Sequence, residues 1–167
     1  MHVDPFEKGW IWLVGIITVI MLGVIFYTAF MWGVHPPSNA FARPETIDPN
    51  KLHLSGEFAE DNLGVTTNAD GSVNVTMVAA RYGFYPQEVE VPADTPVTIR
   101  ITSRDVIHGF HVKDTNAASM VIPGYVSTVE TQFAEPGEYG MLCNEYCGLG
   151  HHYMWSRFKV VEKTQGT

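Results

Sequence analysis

The chain has 167 residues, with 10 basic and 18 acidic side chains and a formal net charge of −8, which leaves room for one ordinary domain and an appendage. The acidic balance excludes a nucleic-acid partner, which needs a basic surface, and 46% hydrophobic with 12% aromatic residues excludes a low-complexity chain. Two cysteines, Cys143 and Cys147, are too few for a disulfide scaffold of the small secreted kind.

After a short N-terminal segment, residues 1–8, the run Gly9–Val34 carries no Asp, Glu, Lys, Arg or His. A helix needs about 20 residues to cross the hydrocarbon core, so this run spans with length to spare. Trp10 and Trp12 mark one end; Phe26, Tyr27, Phe30 and Trp32 mark the other, as interfacial belts in membrane lipid. A cleaved signal sequence is the alternative, with Ala40-Phe41-Ala42 as a small-residue site. Its apolar core would be only about 7–15 residues, so a retained anchor is expected. One Lys before the span, and Arg43 and Lys51 after it, leave orientation undecided.

Residues 35–69 read as a linker. Pro36, Pro37, Pro44 and Pro49 break any helix, and Ser55-Gly56 and Asn62-Leu63-Gly64 are turn-like. A domain of short strands follows over 70–163, with a C-terminal tail at 164–167. Asp70-Gly71 is a hairpin signal, and Val73, Val75 and Met77 alternate after it. Val89 and Val91, then Val97, Ile99 and Ile101, repeat the alternation. Val126–Phe133, Tyr139–Leu142 and Phe158–Val161 complete about seven strands, the pattern of an all-β sandwich or barrel.

The stretch Cys143–Met154 carries the chemistry. Cys147-x3-His151-x2-Met154 supplies a thiolate, an imidazole and a thioether from one loop. A second imidazole from Ser103–His111 would complete a His2Cys copper site with a weak axial Met. Cys143, four residues before Cys147, is one ligand too many for that site. Two thiolates, two imidazoles and a Met suit two coppers bridged by both sulfurs, with a main-chain carbonyl as the other weak ligand. A Cys143–Cys147 disulfide and a Cys2His2 zinc site are the alternatives; zinc rarely uses the thioether. Spacing alone does not separate His108 from His111, or His151 from His152.

At these residues the sequence resembles subunit II of the haem–copper oxidases, the cytochrome c oxidase family. The likeness covers the span and the domain from about Val73 to Lys163. It rests on Asp105-Val-Ile-His108 and on Cys143-x-Glu145-x-Cys147-x3-His151-x2-Met154, which match the family's dinuclear copper (CuA) signature. The resemblance implies a cupredoxin-like Greek-key β-sandwich with one N-terminal transmembrane helix. It implies Cys143 and Cys147 as bridging ligands, His108 and His151 as terminal ligands, Met154 as axial ligand, and Glu145 as a ligand through its main-chain carbonyl. The single span resembles the small subunit II of B-type oxidases from thermophiles and archaea.

The function implied is electron input. Two copper ions would take electrons from cytochrome c or a small copper protein and pass them to haem in subunit I, where O2 is reduced to water. The domain would then lie on the outer (periplasmic or extracellular) side of the cell membrane. Tyr82, within Ala80–Pro86, is the candidate entry aromatic, and Asp105 with Glu145 is a candidate acidic landing area for the donor. In the larger branch of the family the carboxylate matching Glu145 reaches magnesium at the subunit I interface, which leaves magnesium as an open alternative here. A copper-containing nitric oxide reductase subunit and a membrane-tethered copper carrier are the rival readings. The carrier needs no second Cys. Retained copper ligands argue against a quinol oxidase subunit, and length excludes a full nitrous oxide reductase.

Overall fold

The computed structural model describes residues 4–31 and 44–163, which fall in two compact units. The first is the helix α1, Pro5–Met31. Its start is set by Asp4, whose carboxylate accepts the Phe6 amide at 2.8 Å, and by Pro5 at the first helical position, where no amide hydrogen is missed. At 27 residues and about 1.5 Å per residue it is long enough for a hydrocarbon core of about 30 Å. It buries no residue against protein. Its threonines, Thr18 and Thr28, donate back to the carbonyls of Val14 and Ile25 at 2.8 and 3.0 Å, so neither hydroxyl needs an outside partner. Trp32–Val34, Pro36, Pro37, Ala40–Ala42 and the 164–167 tail lie outside the described residues.

The second unit is a sandwich of two five-stranded sheets. Its strands are β1 (Gly64–Thr67), β2 (Val73–Ala80), β3 (Gly83–Tyr85), β4 (Glu88–Pro92), β5 (Pro96–Ser103), β6 (His108–Val112), β7 (Ala118–Val121), β8 (Val126–Gln132), β9 (Gly137–Cys143) and β10 (Trp155–Val161). One sheet runs β1-β2-β5-β8, with β3 also paired to β2; the other runs β4-β10-β9-β6-β7. The pairs β2/β5 and β4/β10 are parallel, and each crosses between distant stretches of chain.

Alternation decides which face is buried. Val73, Val75 and Met77 of β2 sit opposite Val97, Ile99 and Ile101 of β5, and all six are buried in one core. On β10, Ser156, Phe158 and Val160 point inward, and Trp155 and Lys159 outward. Phe84, Phe110, Phe133 and Phe158 are the largest buried side chains, each contributing about 2–3 kcal/mol by leaving water. Phe133 stacks on Phe158 at 5.4 Å and meets Tyr139 edge-on at 4.9 Å.

The linker expected over 35–69 ends earlier: from Pro44 the chain is an ordered strap on the sandwich. Glu45 and Ile47 bond to Val126 and Gly124 through main-chain groups, and 3-10 turns follow at Pro49–Leu54 and Glu60–Asn62. Leu52 and Phe58 bury against Val78, on the face of β2 away from the main core, with Ile47, Leu63 and Val126 around them. Arg100 of β5 reaches out to Glu45 at 2.8 Å and to both carboxylate oxygens of Glu57. Prolines stop regular structure here, but they do not stop irregular chain from packing. The strap leads into β1, which pairs with β2. The expected hairpin joins these strands: Gly71 has φ 83°, and Asp70 accepts the amide and hydroxyl of Ser72 at 2.9 and 2.6 Å.

Candidate metal centre

Two connections at one end of the sandwich carry the ligand candidates. The first is the turn between β5 and β6. There Asp105 accepts from the Val106 amide at 2.7 Å and from Nε2 of His108 at 2.9 Å. Its other oxygen accepts from the amide and Nε of Arg81 at 2.8 and 3.3 Å. Burial works against the Asp105 carboxylate, but the hydrogen bond from His108 and those from the Arg81 and Val106 amides hold its carboxyl below the usual range. His108, at the first position of β6, is fully buried. Its remaining nitrogen, Nδ1, is the one buried side-chain nitrogen or oxygen among the described residues with no hydrogen-bond partner. Leaving such a group unpaired costs about 1–3 kcal/mol, unless a ligand takes its lone pair.

The second is the loop between β9 and β10. Cys143 ends β9 opposite Phe110 of β6, which turns it toward the core. A bond from the Cys143 amide to the Met154 carbonyl (3.1 Å) closes the base of the loop, and one from Asn144 to Gly109 (3.3 Å) ties it to β6. Gly109 is needed there, because a Cβ would stand 2.7 Å from Cγ of Glu145. Within the loop, His151 and Met154 are set by a 3-10 turn, with His151 bonded to the Gly148 carbonyl and Met154 to that of His151.

These connections bring the sulfur and nitrogen atoms together. Donor atoms of His108, Cys143 and Cys147 all lie within 4.8 Å of one another. The two sulfurs are 3.9 Å apart and both cysteines are free, against about 2.05 Å in a disulfide. Cys147 Sγ is 3.6 Å from Nδ1 of His151 and 3.7 Å from Sδ of Met154. Cys143 Sγ is 3.3 Å from the Glu145 carbonyl. Each of the other three residues expected as ligands has an atom beside one sulfur of this cluster: His151 and Met154 next to Cys147, and the Glu145 carbonyl next to Cys143. Burial, reinforced by the neighbouring Cys143, pushes the Cys147 thiol up to about 11; a cation between the sulfurs is what would favour the thiolate. His111 and His152 are exposed, and the His152 ring lies on Tyr153 at 3.9 Å.

The surroundings of the two remaining candidates are defined as well. Asp105 has both oxygens hydrogen-bonded, by His108, Val106 and Arg81. Tyr82 sits in the β2–β3 turn, one side of its ring against Gly148 and Gly150 of the ligand loop and the rest open to solvent. Spacing had no means of finding Arg81, which meets Asp105 across 24 residues. Nor did it find Tyr146, whose ring lies 5.8 Å from that of His151. The glycines at 109, 148 and 150, each beside or between ligand positions, were the available signal of close packing.

A family model described as the periplasmic domain of cytochrome c oxidase subunit II matches residues 57–161. The chain is 37% identical over 159 residues to a cytochrome c oxidase subunit 2 of Thermus thermophilus, covering 94% of this chain and 92% of that one. A second Thermus thermophilus cytochrome c oxidase subunit 2 is 42% identical over 118 residues, 71% of this chain and 87% of the relative. Among solved structures, a chain of a heme-copper terminal oxidase dimer aligns with a TM-score of 0.65 at 26% identity, covering 94% of this chain and all of that one. The periplasmic domain of subunit II of cytochrome oxidase from Bradyrhizobium japonicum shares the fold, with a TM-score of 0.50 at 21% identity over 53% of this chain and 83% of that one.

Proposed function

Because the chain belongs to the cytochrome c oxidase subunit II family, and is thus a subunit of an oxidoreductase complex, we propose that it is the electron-input subunit of a membrane-bound cytochrome c oxidase. The supporting observation is the orphaned Nδ1 of buried His108 beside two free thiols 3.9 Å apart. Cys143 and Cys147 would hold two copper ions between them, with His108 and His151 at the ends. Met154 and the Glu145 carbonyl would be the weak outer ligands. The buried thioether, 2% exposed and beside Cys147, favours copper over a Cys2His2 zinc set. Copper bound there supplies a one-electron couple between an outer donor, cytochrome c or a small copper protein, and the haem of subunit I, where O2 becomes water.

The chain's own residues do the rest. Asp105 keeps the hydrogen on Nε2 of His108, so Nδ1 presents its lone pair to the pocket. The β9–β10 ladder holds Cys143 and Met154 in register at the loop base. Burial of His108, Cys143, Cys147 and Met154 keeps water from those four ligands. A site built before the metal arrives changes little when its charge changes.

The donor would meet an apolar rim. Ile107, Tyr146, Leu149 and Tyr153 neighbour the ligand residues in sequence and are exposed, Leu149 to 87% and Tyr146 to 76%. Tyr82, packed on the ligand loop and still 39% exposed, would serve as the entry aromatic. The α1 helix would sit in membrane lipid with the sandwich on the outer side, beside subunit I. The Glu145 carboxylate is exposed and has no ion pair among the described residues, so it is available to meet that subunit, with magnesium or without it.

The test is metal analysis and EPR of the full chain in detergent. Two coppers per chain with a seven-line mixed-valence signal are expected. One copper, or zinc alone, would overturn the proposal.

A further inference from the structure

Two adjacent residues outside both ligand motifs touch both halves of the site. Arg81 and Tyr82 form the turn between β2 and β3. Arg81 gives its amide and its Nε to one oxygen of Asp105, whose other oxygen holds His108. Tyr82 points its ring at the other half, the loop from Cys147 to His151. A Cβ built on Gly150 would stand 2.6 Å from Cγ and 2.9 Å from Cε2 of that ring. One built on Gly148 would stand 2.7 Å from Oη and 3.2 Å from Cε1. Real Cβ atoms essentially never come within 3.0 Å of such atoms, so both glycines are bare because the ring lies along them. Gly148 also has φ +131°, a conformation that glycine alone adopts without strain. Leu149, between them, is turned to solvent.

We propose that the Arg81-Tyr82 turn is a positioning element that sets the distance between the His108 half and the Cys147–His151 half of the metal centre. Besides the β6/β9 ladder and the bond from Asn144 to Gly109 at the loop base, this turn is a further tie, and it reaches the part of the loop between Cys147 and His151 that lies beyond that base. The ring supplies that tie by contact. The guanidinium supplies it by charge, neutralising the carboxylate that orients His108. The role concerns geometry and is separate from any electron path through Tyr82. It draws its importance from the copper reading but is testable without metal.

The test uses the full reduced chain in detergent, free of metal. It follows alkylation of Cys147 by iodoacetamide, resolved from Cys143 by peptide mass spectrometry. Cys147 is buried in the wild type. Tyr82→Phe keeps the ring and is expected to react within twofold of wild type. Tyr82→Ala and Gly150→Ala are each expected to react at least tenfold faster, with unchanged far-ultraviolet circular dichroism. The double variant decides the matter, because removing the ring removes what the Gly150→Ala methyl strikes. It should react no faster than Tyr82→Ala alone. Multiplying effects, near a hundredfold, would overturn the proposal, as would a Tyr82→Ala chain that reacts like wild type. If Tyr82→Ala loses its β-sheet signal, the cycle is run with Tyr82→Leu, and the same two outcomes decide. Copper content of the wild-type chain reads the proposed function separately. With copper loaded, Tyr82→Phe should keep the wild-type EPR hyperfine pattern and Gly150→Ala should alter it.

Discussion

Asp105 accepts a hydrogen bond from Nε2 of His108 at 2.9 Å while its second oxygen is held by Arg81. A fully buried imidazole is thereby locked in one orientation, with the opposite nitrogen aimed at sulfur. Removing the carboxylate frees the ring to rotate and to change tautomer. Asp105→Ala is expected to weaken copper binding about 10–100-fold, the usual effect of losing such a partner. Competition with a copper chelator measures it. Unchanged affinity would mean that packing alone orients His108.

Cys143→Ser tests whether both sulfurs are needed. The β-fold should persist by circular dichroism, because Cys143 sits at the end of β9 and the large core residues lie elsewhere. The dinuclear EPR signal should vanish, leaving a mononuclear or poorly formed site. Its survival would refute bridging by Cys143.

The apolar rim and the occupied Asp105 predict a donor reaction that depends little on salt. Reduction of the copper-loaded chain by cytochrome c should change less than about threefold between roughly 50 and 300 mM salt, since screening acts on charged encounters. Leu149→Asp, on a side chain turned to solvent, should slow it about tenfold. Stopped-flow rates give both. A steep salt dependence would restore an acidic landing area.

Arg100 ties the strap to the outer face of its sheet through Glu45 and Glu57. The guanidinium is about a quarter exposed and its partners more so, so the network is worth only about 1–2 kcal/mol. Arg100→Ala should lower denaturant stability by that amount. It should also raise hydrogen exchange over 45–63 while leaving the copper EPR signal unchanged. No change in exchange would mean that Leu52 and Phe58 hold the strap unaided.

What could be read from the residues follows their reach. Cys147, His151 and Met154 fall within eight positions of one loop, so spacing alone placed three donors together. The alternation of Val97, Ile99 and Ile101 marked β5 because one face of that strand meets the core. Choosing His108 over His111 needed the family likeness, since both lie on the same short strand and residue type alone does not say which one faces the ligands. The structure separates them because β6 begins at His108, still under the control of the Asp105 turn. Leu52 and Phe58 carried no period, being in irregular chain, and so the strap was read as linker. The pairing of Arg81 with Asp105 depends on β2 and β5 lying parallel, a tertiary fact that no local pattern encodes.

The bond between the Cys143 amide and the Met154 carbonyl, with Leu142 and Trp155 paired just beyond it, has a consequence for biogenesis. The hairpin is complete before the loop begins, and the four buried phenylalanines need nothing from copper. Unlike small zinc domains, whose folding waits for metal, this domain can finish folding first and receive its ions afterwards. Its two thiols, free and 3.9 Å apart, would then have to be kept reduced on the outer side of the membrane, where neighbouring thiols otherwise oxidise to a disulfide. Metal delivery, not folding, would be the step at which the cell decides whether the subunit becomes active.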